Sequence, residues 1–323
     1  MQKYSIDRNS YGKRLDRFVF ETNPLVPHSY VQKAIRKKKI RVNKRKTQAN
    51  YRLQEGDLVQ IAFLQSFTPK PDHRTTPRGF TILYEDENIL LADKEAGILC
   101  VDTDVNNQNT LQRQITQYLS SRGDSDSVYL CNRIDCNTTG IVILAKNQES
   151  KELLDEKIRQ REIVKSYLGI VYGTVRPSIG YMENYLFKDA RKNKVYLSNT
   201  RIPGSKIAVA EYRTLETDQN LSLLECQLFT GRTHQIRSQL AYAGYPLLGD
   251  DKYGNKKINR IYKERKQLLC SYKIEFAFQS EEHRLGYLNK KVCQVQEIDF
   301  CNRYFPKAKI VMNDEMTPKE LLI

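Results

Sequence analysis

Apolar positions divide the 323-residue chain into two stretches of different character. In the first, Leu15, Phe18 and Val19 recur at i, i+3 and i+4 and predict a short amphipathic helix. Val31, Ala34 and Ile35 share one face of a second helix, for which Ser29 is the expected N-cap. Residues 39–43 then alternate basic with apolar, and 57–63 form a second strand-like run after a turn at Gly56. Two small helices and a hairpin make a compact unit with little core. Residues 66–79 hold three prolines and almost no aliphatic side chains, which predicts a linker.

The pattern changes at Phe80. Strands are expected at 80–84, 88–92, 140–146, 165–172, 206–216 and 221–229. The last two flank the polar turn Thr217-Asp218-Gln219-Asn220 and so read as an antiparallel hairpin. Helices are expected at 108–121, 149–161 and 233–243, the last stopped by Gly244. Strands outnumber helices and are not regularly separated by them. The expected class is therefore α+β with a mixed, largely antiparallel sheet. The domain plan is 1–65, a linker at 66–79, a body at 80–305 and a loosely attached tail at 306–323.

Charge sharpens this division. The formal net charge is +15. Residues 1–79 carry 18 Lys and Arg against 6 Asp and Glu, a net of +12, and the remainder carries only +3. A solubilising surface has no need to gather its charge in one place, so the first unit points to a nucleic-acid partner. Its expected phosphate contacts are Lys33, Arg36, Lys37, Lys38, Lys39, Arg41 and Lys44. The seven cysteines are odd in number, include no CxxC, and sit partly in apolar runs, as expected of reduced thiols in a cytoplasmic protein. The polar start, and a longest aliphatic run of only Ile141 to Ala145, predict neither a signal peptide nor a membrane span.

Several chemistries lack their signature: there is no P-loop, no GxGxxG after a strand, no zinc-deaminase pattern and no GxSxG elbow. The four His residues, at 28, 73, 234 and 283, are not spaced as metal ligands. Neither a metal nor a nucleotide cofactor is expected.

Three constellations remain. Asn132-Arg133-Ile134-Asp135 lies in a polar loop that runs through Thr139 and Gly140 into an apolar strand, where a rigid element can hold reactive groups. The residues alone equally allow an Arg–Asp pair that only caps the loop. Thr230 to Arg237 joins a strand to a helix, with Thr233 as the expected cap and Arg232, His234 and Arg237 in the first turn. Cations there oppose the helix dipole, so a carboxylate or phosphate from elsewhere is expected, unless this is simply a solvated basic turn. Tyr167, in Lys165-Ser166-Tyr167, taken alone reads as a half-buried strand aromatic.

Together these segments resemble the RluA family of pseudouridine synthases. Asn132-Arg133-Ile134-Asp135 with Thr139-Gly140 is similar to HRLDxxTSG, and residues 85–97 to EDxxLLVxNKPAG. Lys165-Ser166-Tyr167-Leu168 is similar to KxYL, Ala210-Glu211-Tyr212 to TEY, residues 231–237 match GRTHQIR, and residues 249–254 match GDxxYG. The matches run in order across about residues 80–255. The basic unit resembles an S-four-type (alpha-L) RNA-binding domain through Leu15-Asp16-Arg17, Val42-Asn43 and Glu55-Gly56-Asp57. Asn132 departs from the family's His, and Ala210 from its Thr.

The resemblance implies a pseudouridine synthase fold and a cofactor-free isomerisation of uridine to pseudouridine in RNA, large-subunit ribosomal RNA ahead of transfer RNA. It casts Asp135 as the nucleophile, attacking sugar or base, with Arg237 paired to it. Tyr167 would stack on uracil and move the carbon-5 proton. Arg133 would fill the gap left by the flipped base. Asn132, Thr139, Gly140, Arg232 and His234 would support the site. The protein is expected to act as a monomer. A non-catalytic RNA-binding protein on this fold conflicts with the intact Asp135, Tyr167 and Arg237. A methyltransferase conflicts with the missing glycine motif.

Overall fold

The computed structural model describes residues 2–8, 10–22, 31, 34–61, 79–101, 110–124, 127–189, 192 and 194–308, with residues 2, 20 and 21 described by backbone only. Lys33, the Ser29 cap, nearly all of the expected linker and tail residues 309–323 lie outside the described residues. The chain packs into two units, one of Met1–Arg78 with Gln112–Val128, the other of Gly79–Leu111 with Tyr129–Ile323.

In the first unit the helix Leu15–Thr22 buries Leu15, Phe18 and Val19, the predicted stripe. They pack with Val31, Ala34 and Ile35 over a three-stranded antiparallel sheet in the order β1-β3-β2. Its strands are β1 (Gln2–Ser5), β2 (Ile40–Val42) and β3 (Leu58–Ile61). The expected hairpin is β2–β3. The polar N-terminus adds β1, which the sequence does not announce because four residues offer almost no apolar alternation. Ile40 and Val42 face the core while Arg41 faces out. Buried Asp57 ties the unit together, accepting from Asn43 Nδ2 at 2.7 Å, Gln54 N–H at 2.8 Å and the Tyr51 hydroxyl at 3.1 Å.

The second unit is built on one 11-stranded sheet. Its strands are β4 (Phe80–Glu85), β5 (Ile89–Lys94), β6 (Tyr129–Leu130), β7 (Thr139–Ala145) and β8 (Ile163–Tyr172). They continue with β9 (Ile179–Asp189), β10 (Lys194–Ser198), β11 (Lys206–Asp218), β12 (Leu221–Leu228), β13 (Leu269–Phe276) and β14 (Val292–Gln294). The order is β10-β9-β11-β12-β8-β13-β7-β5-β4, with β14 on β13 and β6 on β7. Among these pairings only β13 with β7 is parallel, which matches the expected class. All six expected strands are present, and β11–β12 form the expected hairpin. Ile143, Leu168, Ile170, Leu223, Tyr272 and Ile274 lie at the centre of a continuous apolar core.

The parallel step between β7 and β13 depends on one glycine. Gly140 has φ +105°, and a β-carbon there would lie 2.2 Å from the Ser271 carbonyl oxygen. Only glycine allows both the turn and the close approach.

Candidate active site

The loop between β6 and β7 carries Asp135 and is held at several points. Cys131 N–H donates to the Ile143 carbonyl at 2.9 Å, and the Asn132 side-chain oxygen accepts the Ile143 N–H at 2.7 Å. An asparagine oxygen thus performs the acceptor task open to a histidine Nδ1 at this position. On the far side, Lys94 is wholly buried at the end of β5 and donates to the carbonyls of Glu95 at 2.7 Å and Cys136 at 2.9 Å. Burial lowers the Lys94 pKa. Gly97 N–H also donates to Cys136 O, and Cys100 Sγ donates to Ile134 O at 3.3 Å. Both peptide neighbours of Asp135 are therefore pinned. Thr139 Oγ1 adds a contact to Leu269 O at 3.4 Å.

Asp135 itself is left with 24% of its side chain exposed, against 6% for its partner Arg237. Arg237 Nη1 donates to Asp135 Oδ2 at 2.9 Å. Its other edge holds Asp250 bidentately, Nε to Oδ2 at 2.7 Å and Nη2 to Oδ1 at 3.0 Å. Asp250 is fully buried and also accepts the N–H groups of Lys252 and Tyr253. The Asp250 carboxyl is held below its ordinary range: the Arg237 bond and charge and these amides outweigh burial. Asp135 and Asp250, with the exposed Asp251 carboxylate 3.6 Å from Nη2, thus supply the counter-charge that the cation-rich helix start requires.

That helix, Gln235–Tyr242, starts differently from expectation. Thr233 does not cap it. His234 is the N-cap residue, in the left-handed region (φ 54°, ψ 24°) with no side-chain cap bond. Gln235 does the fastening: its Oε1 accepts from Thr230 Oγ1 and the Arg232 N–H, and its Nε2 donates to Val209 O. A reaching amide satisfies the turn better than a short hydroxyl here, because the chain must swing His234 out of helical geometry. Gly244 follows the helix at φ +90°, as expected of its stop.

Tyr167 on β8 is buried, and burial with the nearby Asp135 charge pushes its hydroxyl up to about 12. The group is a neutral phenol near pH 7. Arg133 is exposed and makes no hydrogen bond or ion pair among the described residues, while Arg232 Nε donates to Ile207 O at 3.0 Å. The structure therefore brings Asp135, Tyr167, Arg237, His234, Thr139, Gly140 and Asn132 into one unit. In the first unit Arg36, Lys37, Lys38, Arg41 and Lys44 are exposed and Lys39 is half-buried. Lys94, Asp250 and Tyr253 join the site although the sequence reading gave them no role. All three lie in the family-like segments, and the misplaced cations at the helix start call for an acid such as Asp250. No helix among the described residues is long and apolar enough to cross a membrane.

The second unit thus holds a partly open, ion-paired carboxylate on a mixed, largely antiparallel sheet, in a chain whose first unit is basic. Residues 88–242 match the RNA pseudouridylate synthase family and residues 13–59 match the S4 domain. The chain is 30% identical to the uncharacterized RNA pseudouridine synthase YlyB of Bacillus subtilis, over 76% of this chain and 80% of that protein. It is 29% identical to ribosomal large subunit pseudouridine synthase C of Haemophilus ducreyi, over 82% and 83%. Among solved structures, human RNA pseudouridylate synthase domain containing 1 shares the fold at 18% identity and a TM-score of 0.52, covering 69% of this chain and 93% of that one. The chain belongs to the RluA-type RNA pseudouridine synthases, isomerases acting on uridine in RNA.

Proposed function

We propose that this enzyme acts in the cytoplasm on uridine in large-subunit ribosomal RNA, with Asp135 as its nucleophile and Arg133 replacing a flipped base. The observation that carries the reading is the Asp135 carboxylate, partly open to solvent and ion-paired at 2.9 Å to an arginine that is itself fixed by a second, buried carboxylate. A nucleophilic carboxylate must be reachable and oriented, and this arrangement supplies both.

In the reaction the bond from the sugar to uracil nitrogen 1 breaks and one from the sugar to carbon 5 forms. Carbon 5 loses a proton and nitrogen 1 gains one, so atoms balance without a co-reactant. Asp135 attacks sugar or base and is released at the end. Tyr167 offers its ring to uracil. Because its hydroxyl is protonated near neutrality, Tyr167 takes the carbon-5 proton only as it hands on its own, and the proton balance closes at uracil nitrogen 1. Unstacking the target costs a few kcal/mol. The guanidinium of Arg133, exposed and without an ion pair among the described residues, can stack in the vacated space. Relatives named as large-subunit ribosomal enzymes support the choice of RNA.

The test is chemical mapping of pseudouridine in unmodified large-subunit ribosomal RNA and in unmodified transfer RNA, each incubated with the purified protein. New pseudouridine in the ribosomal RNA is expected. Product in transfer RNA alone would replace the substrate, and product in neither would overturn the function.

A further inference from the structure

His234 holds a left-handed backbone that a residue with a β-carbon keeps only where its surroundings hold it. Its ring is held by Tyr253: Nδ1 lies 2.9 Å from the Tyr253 hydroxyl oxygen, and the two rings meet edge-on at 5.6 Å. The same hydroxyl accepts the backbone N–H of Val195 at 2.9 Å. A phenol has a single proton to give. Among the described residues His234 Nδ1 is the acceptor offered to that proton, and we assign the phenol as the donor to it. Nδ1 is then the acceptor, and the ring's own proton sits on Nε2. Nε2 has no protein partner among the described residues.

Burial keeps the ring neutral against the charges that face it. Burial leads, and Arg237 on the same helix and Lys252 on the following loop add to it; Asp135 and Asp250 pull the other way, and the net is a pKa below that of an ordinary histidine. A charged imidazole here would be a second cation competing with Arg237 for Asp135. A neutral N–H beside Arg237 and Lys252, at the positive end of a helix, instead suits an anionic acceptor.

We propose that His234 is a fixed neutral donor whose Nε2–H binds a non-bridging phosphate oxygen of the RNA strand next to the target uridine, with Tyr253 setting its tautomer. The assignment rests on the RNA-modifying reading above. It makes His234 a binding residue with no part in bond breaking, so its contact is equal in ground and transition states and acts on KM alone.

The test uses the full-length protein and an unmodified large-subunit ribosomal RNA transcript that the wild type converts, with initial rates of pseudouridine formation and thermal midpoints for every variant. His234→Phe keeps an aromatic ring and deletes the donor. It is expected to raise KM about tenfold to a hundredfold and leave kcat within about threefold. His234→Gln, which presents a side-chain N–H, is expected to recover most of the loss. Tyr253→Phe is expected to raise KM in the wild-type background and to add nothing in the His234→Phe background. A KM within about twofold of wild type for His234→Phe overturns the proposal. So does a fall in kcat at unchanged KM, a failure of Gln to do better than Phe, or additive effects of the two substitutions. Wild type making no pseudouridine in any RNA would instead sink the functional reading; filter binding of an unmodified large-subunit transcript then reads the phosphate contact alone, weaker binding by His234→Phe than by wild type supporting it and equal binding overturning it.

Discussion

Arg237 donates to two acids at once, and the two bonds do different work. Asp135 is the partly exposed partner and Asp250 the buried one. Removing Asp250 leaves a guanidinium with one buried edge unpaired, which typically costs about 3–5 kcal/mol. Asp250→Asn is therefore expected to lower the urea-unfolding free energy at pH 7 by about that amount. The pH dependence follows from the direction of the shift. The folded carboxyl lies below its ordinary 3.8, so its stabilisation is complete above that pH and is lost as pH falls further toward the folded value. The gap between wild type and Asp250→Asn should narrow below pH 3.8 and stay constant from pH 5 to 7. A gap that widens in acid would contradict the pairing.

Gly140 shows how one element fixes the site. The pairing of β7 with β13 brings the Asp135 loop alongside β13, and it exists only because position 140 has no side chain. Gly140→Ala places a methyl against the Ser271 backbone at a φ that L-residues avoid, and is expected to cost about 3 kcal/mol or more. An unfolding midpoint equal to wild type would mean the strands do not approach as described. At this scale the sequence was legible where apolar runs are long: β5, β7, β8 and the β11–β12 hairpin follow directly from it. It was silent on β9, whose faces mix Tyr181, Glu183 and Lys188 and are only intermittently buried, so period two is blurred. β13 was findable, since Cys270, Tyr272, Ile274 and Phe276 alternate. Thr233 misled because capping preference is local, whereas the bonds made by Gln235 reach across to β11.

Across the whole molecule the charge asymmetry and the chemistry fall in different units. The exposed cations of the first unit lie around β2 and the turn after it, and crowding by Lys38 and Arg41 lowers the pKa of Lys46. Such a cluster is prepared for counterions or phosphates. Replacing Arg36, Lys37, Lys38 and Arg41 together with Gln is expected to flatten the dependence of RNA affinity on salt by up to about 3 in log–log slope and to leave kcat near wild type. An unchanged slope would remove this unit from RNA binding. The candidate site was legible in outline because Asp135, Tyr167 and Arg237 lie in recognisable segments. The groups that orient them were less so: Lys94 and Asp250 act through burial and backbone carbonyls or amides, which no linear pattern displays. The nucleophile is tested most directly by pseudouridine formation by Asp135→Asn on unmodified large-subunit ribosomal RNA. A nucleophilic Asp135 requires a loss of more than about a thousandfold in kcat, with the thermal midpoint and RNA affinity close to wild type. Turnover within a few-fold of wild type would contradict it.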